Sequence, residues 1–123
     1  MAKAVGVGGV FLKARDPQAL SAWYATHLGI QPGEGGALIF QGPESEGMTV
    51  FAHFPQETAY FGDGPQSFMV NFRVDDLDQL LSDLAAAGVR IDAHREELSY
   101  GRFAWIWDPE GNRVELWQPP RDE

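Results

Sequence analysis

The chain has 123 residues, 44% hydrophobic and 22% charged, the balance of one globular domain that can bury a core without staples. It contains no cysteine, which excludes disulfides, thiolate metal sites and cysteine nucleophiles. A formal net charge of −9 argues against nucleic acid as a partner and fits either solubility or a cationic small ligand.

The opening MAKAVGVGGVFLKARD has neither a long apolar run nor a cleavage site. Neither a signal peptide nor a membrane span is expected, and the expected location is cytoplasmic. Residues 5–13 read as a Gly-rich strand, with Val10 and Leu12 on one face and Val7, Gly9, Phe11 and Lys13 on the other. Asp16-Pro17 then opens a helix, Asp as N-cap and Pro at the first helical position. Leu20, Trp23, Tyr24 and Leu28 form its apolar stripe, and Gly29 ends it. Strands are expected at 37–41 and 48–54, joined as a hairpin by the polar turn GPESEG.

The segment 55–67 reads as a linker, with Tyr60-Phe61 either folding back on the core or serving as a lid or dimer contact. In the next strand Phe68, Val70, Phe72 and Val74 are expected to face the core, with Met69, Asn71 and Arg73 on the opposite face. Asp76 and Gln79 make a capping box for a second helix, whose stripe is Leu77, Leu80, Leu81 and Leu84. A strand at 89–93 and a polar loop, HREELSYG, lead to a final hairpin over 102–118. Its turn is Asp108-Pro109-Glu110-Gly111-Asn112. On the return strand Val114 and Leu116 alternate with Arg113, Glu115 and Trp117.

Val10-x-Leu12…Asp16…Leu20…Gly29 is echoed by Val70-x-Phe72…Asp76…Leu80…Gly88, an internal repeat. Half a chain of this size could not bury its own sheet face alone. The expected architecture is α+β, two pseudo-symmetric βαβββ modules of about 1–56 and 66–120 with one helix each, within a single domain. No Ser-His-Asp order, HExxH or phosphate-binding glycine loop is present, and VGVGG does not match GxGxxG.

The duplication, DPQALSAWYATHLGI, FRVDDLDQLLSDLAAAGV and the ending DPEGNRVELWQP together resemble the vicinal oxygen chelate superfamily. That group includes glyoxalase I, extradiol dioxygenases, fosfomycin-resistance enzymes and bleomycin-binding proteins. The resemblance implies curved mixed sheets around a ligand cavity, and a homodimer. It also implies a divalent metal held by one residue from each of four strands. Carried over, those positions fall on Gly9, Met69, Glu115 and a residue of MTVFAHF, Phe51 with His53 on the same face. Only Glu115 is a proper ligand type, since glycine and phenylalanine cannot coordinate and a thioether is too soft. No cofactor is therefore expected; a metal held by Glu115 and His53 is the alternative.

Strand parity assigns Phe11, Lys13, Phe51, His53, Met69, Asn71, Arg73, Trp105, Trp107, Arg113, Glu115 and Trp117 to the cavity face. Of these, Phe11, Phe51, His53, Asn71, Arg73, Trp105, Glu115 and Trp117, together with Tyr100 at the hairpin mouth, are the ligand-binding candidates. Glu115 is the one catalytic candidate. Each has a plainer reading. Arg73 and Glu115 are expected to pair, Asn71 to satisfy a neighbouring backbone group, and the tryptophans to serve as walls. His53 has no identifiable partner in the sequence, and His27 and His94 are expected in solvent. Two functions follow. One is metal-free binding of a small organic molecule, with or without chemistry; the other is a metal-dependent lyase or dioxygenase of the glyoxalase type.

Overall fold

The computed structural model describes residues 2–33, 37–40, 48–62 and 64–120. Eight strands and two helices follow in the order β1 (Ala4–Ala14), α1 (Pro17–Leu28), β2 (Gln31–Pro32), β3 (Leu38–Phe40), β4 (Thr49–Pro55), β5 (Phe68–Val74), α2 (Leu77–Ala86), β6 (Ile91–Leu98), β7 (Gly101–Trp107) and β8 (Arg113–Gln118). The repeat read from the sequence reappears in the pairing. β1 runs parallel to β4, β4 antiparallel to β3, and β3 antiparallel to β2. In the same way β5 runs parallel to β8, β8 antiparallel to β7, and β7 antiparallel to β6. A parallel pair needs a long crossover, and in each half the helix and two strands supply it. The fold is α+β with mixed pairing.

Two compact units arise: Gly8–Met69, and the chain up to Val7 joined with the chain from Val70 onward. The boundary falls inside β1 and β5. In the first unit Asp16 caps α1 by accepting the Ala19 amide at 3.1 Å, and Gly29, at φ 68°, ends it. The expected apolar stripe of α1 is not a buried one. No residue of this helix is fully buried, and Trp23 and Leu28 are exposed. The short β2 went unread because Gln31-Pro32 carries no alternating pattern. The GPESEG turn and Gln41 lie outside the described residues. Phe61 is fully buried, with Phe54 at 5.4 Å from it and stacked on Tyr60 at 5.2 Å, so the 55–67 segment folds back on its own unit.

In the second unit Asp76 accepts the Gln79 amide at 3.1 Å, while the Gln79 side chain turns to Asp83, completing only half of the capping box. Leu77, Leu81, Val74, Ala104 and Leu116 form the core beneath α2, with Phe72, Leu80, Leu84, Ile106 and Val114 packed on it. Gln118 Oε1 accepts the Leu77 amide at 2.7 Å and ties the helix start to β8. Phe68, expected in the core, is exposed, since the α2-packed core takes in β5 only from Phe72 onward. The stretch 94–98, expected as loop, is strand. Its alternate side chains Arg95 and, across the hairpin, Arg102 both reach Asp78 of α2 at 2.8 Å, so charge takes the place of an apolar face.

Leu77 is wholly shielded and central to this core. Leu77→Ala is expected to lower the unfolding free energy by about 2–5 kcal/mol in urea melts; a loss below about 1 kcal/mol would contradict the packing described.

Candidate functional site

The final hairpin sets the site because its two strands present opposite kinds of face. Ala104, Ile106, Val114 and Leu116 point at α2. Phe103, Trp105, Trp107, Arg113, Glu115 and Trp117 therefore share the other side, in register as Phe103 with Trp117, Trp105 with Glu115 and Trp107 with Arg113. The parallel neighbour β5 adds Asn71 beside Glu115 and Arg73 beside Trp117. For these residues of β5, β7 and β8 the sequence-based parity agrees with the register.

Glu115 is 1% exposed, Trp105 1% and Asn71 2%, so the carboxylate is sealed among its neighbours. Its two oxygens are each met by a different donor. Asn71 Nδ2 donates to Oε1 at 2.5 Å, and Trp105 Nε1 donates to Oε2 at 3.0 Å. Both of these donors are uncharged groups, and the Arg73 Nη1 donates to the Val7 carbonyl at 2.8 Å. Gly6 makes that possible, since a Cβ there would collide with the Arg73 guanidinium. The Asn71 amide nitrogen serves Glu115, and its Oδ1 is buried without a hydrogen-bond partner among the described residues.

Around this centre the rings are fixed one by one. Trp117 stacks on Phe103 at 6.0 Å and donates its Nε1 to the Tyr100 carbonyl at 2.9 Å. Gly101, at φ 142°, lies where any Cβ would enter the Trp117 indole. Tyr100 is exposed at the rim, its ring edge-on to Phe103 at 5.7 Å. His94 lies parallel to Trp105 at 5.4 Å and meets Glu96 at 3.0 Å; exposed as expected, it is also part of this aromatic face. The Arg113 guanidinium sits 5.3 Å from both Trp105 and Trp107 and bonds Asp92 at 2.7 Å. That bond, with the His94 amide, holds the Asp92 carboxyl below its ordinary range.

The first unit divides differently from expectation. The parallel register pairs Val10 with Phe51 and Leu12 with His53, so Phe51 and His53 belong to the α1 side of the sheet. Phe11 pairs with Ala52 instead, and its ring meets Phe54 at 5.5 Å and Tyr60 at 6.4 Å. Phe11 thus does not share a face with Phe51 and His53. The 48–54 stretch is apolar at both parities, so its alternation could not show this. His53 does have a partner, Ser21 of α1, whose Oγ lies 2.8 Å from Nδ1. Tyr24 stacks on the imidazole at 5.5 Å and Phe51 packs edge-on at 4.7 Å. Nε2 is buried with no hydrogen-bond partner among the described residues, and desolvation lowers the His53 pKa. Ser21 had no signal in the sequence beyond its place on the helix.

No group of three or more His, Asp or Glu comes together among the described residues. Gly9 has no donor; a Cβ there would lie 2.8 Å from the Val50 carbonyl. Met69 is fully buried. Two open concavities are lined by other residues. One, of about 520 Å³, is lined by Ala2, Asp75, Asp76, Gln79 and Asp83; the other, of about 470 Å³, by Lys13, Ala14, Arg15, Gln56, Pro65 and Ser67. No helix among the described residues is long and apolar enough to cross a membrane.

The twin βαβββ order is the one that the resemblance to the vicinal oxygen chelate superfamily implies. Within it, the model of the glyoxalase-like domain matches residues 9–117, and the chain belongs to that family. Among solved structures, a methylmalonyl-CoA epimerase from Mycobacterium tuberculosis is 22% identical, with a TM-score of 0.68 over 96% of this chain and 90% of that one. The Streptomyces coelicolor methylmalonyl-CoA epimerase bound to 2-nitronate-propionyl-CoA is 16% identical, with a TM-score of 0.73 over 97% and 100%. An NAD-dependent benzaldehyde dehydrogenase from Legionella pneumophila is 15% identical, with a TM-score of 0.63 over 91% and 98%. At such identities the likeness shows the fold alone. No curated protein sequence matches the chain.

The His53 contact generates a pH prediction. Its folded pKa lies below the unfolded value, so the unfolded chain takes up the proton first as the pH falls. Stability is then full above about pH 6.5 and declines below it. Thermal melts from pH 7.5 to 5 should show that decline, and His53→Gln should flatten it; an identical slope in the variant would refute the assignment.

Proposed function

We infer that this glyoxalase-like protein binds a small, flat organic molecule on the aromatic face of its second unit, without a catalytic metal. The observation that carries the reading is the state of Glu115. The carboxylate that stands at the last-strand ligand position accepts from Asn71 and Trp105 on both oxygens and is sealed from solvent. A metal needs several donors close together, and no group of three or more His, Asp or Glu comes together among the described residues. Glu115 instead braces Asn71 and Trp105, and through Trp105 the stacked His94.

What a ligand would meet is the outer rim of that brace: the exposed Tyr100 and His94, with the half-buried Trp107 and Arg73 beside them. Rings offer stacking area, and the polar groups between them fix orientation. The similar structures are named for an epimerase and a dehydrogenase, so the shared fold selects neither activity for this chain.

Metal analysis of the protein purified without chelator, with thermal-shift titrations of Ni, Zn, Mn and Fe(II), tests the first half of the reading. Sub-stoichiometric metal and no shift saturating at one equivalent are expected. Three of the four tryptophans lie on the face in question, so their fluorescence reports its occupancy. A panel of flat aromatic compounds should yield at least one saturable fluorescence titration. A stoichiometric metal lost in Glu115→Gln would overturn the proposal.

A further inference from the structure

The open concavity of the first unit is basic in an acidic chain. Its walls are Lys13 and Ala14 at the end of β1, Arg15 just past it, Gln56 just past β4, and Pro65 and Ser67 on the approach to β5. The Lys13 amide donates to the Ser67 carbonyl at 3.0 Å, so the two walls are joined by the backbone. Below Lys13 lies Phe61, wholly buried, with Nζ 5.5 Å from its ring centroid; the lysine stem therefore has a rigid floor.

Acidic residues outnumber basic ones 18 to 9, so a cation here has carboxylates to spare. Arg95, Arg102 and Arg113 each take one. Lys13 and Arg15 form no ion pair among the described residues. Asp16, next in sequence, is turned away to cap α1 through the Ala19 amide. Glu57, beside Gln56, pairs with neither cation. Two cations with no ion pair among the described residues thus border a concavity of about 470 Å³ that Gln56 and Ser67 also line. That donor set is complementary to an oxyanion, which accepts charge-assisted hydrogen bonds at several oxygens at once.

We propose that the groove bounded by Lys13, Arg15, Gln56 and Ser67 is a binding site for an oxyanion, the phosphate or carboxylate group of a small ligand. The net negative charge of the chain repels anions at long range, so the local donors must supply the selectivity, and salt screens both effects.

The test is a ¹H–¹⁵N NMR titration of the full chain with inorganic phosphate, and separately with acetate, at constant ionic strength balanced by chloride. Saturable shifts confined to the amides of Lys13, Arg15, Gln56 and Ser67 are expected. The double substitution Lys13→Gln, Arg15→Gln should weaken binding about tenfold or more, since each removes a charge-assisted donor. Arg15 is exposed, and its single Arg15→Gln variant should give an intermediate loss in a fold that the same spectra report as intact. Saturation by phosphate alone assigns a phosphorylated ligand; equal saturation by acetate assigns a carboxylate. Shifts that never saturate, that appear elsewhere, or that persist unchanged in the double variant would overturn the site.

Discussion

A buried carboxylate must be satisfied by something, and how Glu115 is satisfied governs the second unit. Isolation of such a group without hydrogen bonds would cost several kcal/mol. Here one donor comes from the parallel neighbour β5 and the other from the antiparallel neighbour β7. The carboxylate therefore couples three adjacent strands through side chains, on the face opposite the α2 core. Each donor is a neutral group with its own packing, so the bond fixes the rotamer of Asn71 and the plane of the Trp105 indole together. Both oxygens of the central Glu115 are thus held by donors from neighbouring strands.

The rest of that face follows from the same constraint. With Trp105 fixed, His94 can lie parallel to it and Arg113 can sit between Trp105 and Trp107 while held by Asp92. Arg90 covers the second indole, with its guanidinium 3.7 Å from the Trp107 ring. Cations and rings alternate along the sheet, an arrangement that keeps arginines close to one another by placing polarisable surfaces between them. The first unit is built on different terms. Its rings split between Phe11, Phe54, Tyr60 and Phe61 on one side and Tyr24, Phe51 and His53 on the other. The polar contact there, Ser21 to His53, joins a helix to a strand instead of strand to strand.

The second unit was legible because its strands alternate cleanly. Val114 and Leu116 between Arg113, Glu115 and Trp117 leave one reading of the faces, and the register of β5 and β8 agrees with it. The helix caps at Asp16 and Asp76 were equally legible, since they depend on neighbours three residues away. Long-range choices were not. That Glu115 accepts from Asn71 and Trp105, and that Arg73 reaches the Val7 carbonyl 66 residues away in sequence, are contacts that no local pattern shows. The side taken by Phe51 and His53 is not legible locally, because β4 is apolar at both parities and only its pairing with β1 decides. The strand at 94–98 was hidden by its polarity: Arg95 reaches Asp78 of α2, while Glu96 serves His94. The stripe on α1 had helical period without being buried, which periodicity alone does not distinguish.

The measurement that tests the central role of Glu115 most directly is a comparison of the unfolding free energies of Glu115→Gln and Glu115→Ala. Alanine strands two buried donors and is expected to cost about 2–6 kcal/mol. Glutamine keeps an acceptor for one of them and similar volume, and is expected to cost less than half as much. If both variants melt like the wild type, Glu115 is not the brace of this face, and its carboxylate must be sought in another role.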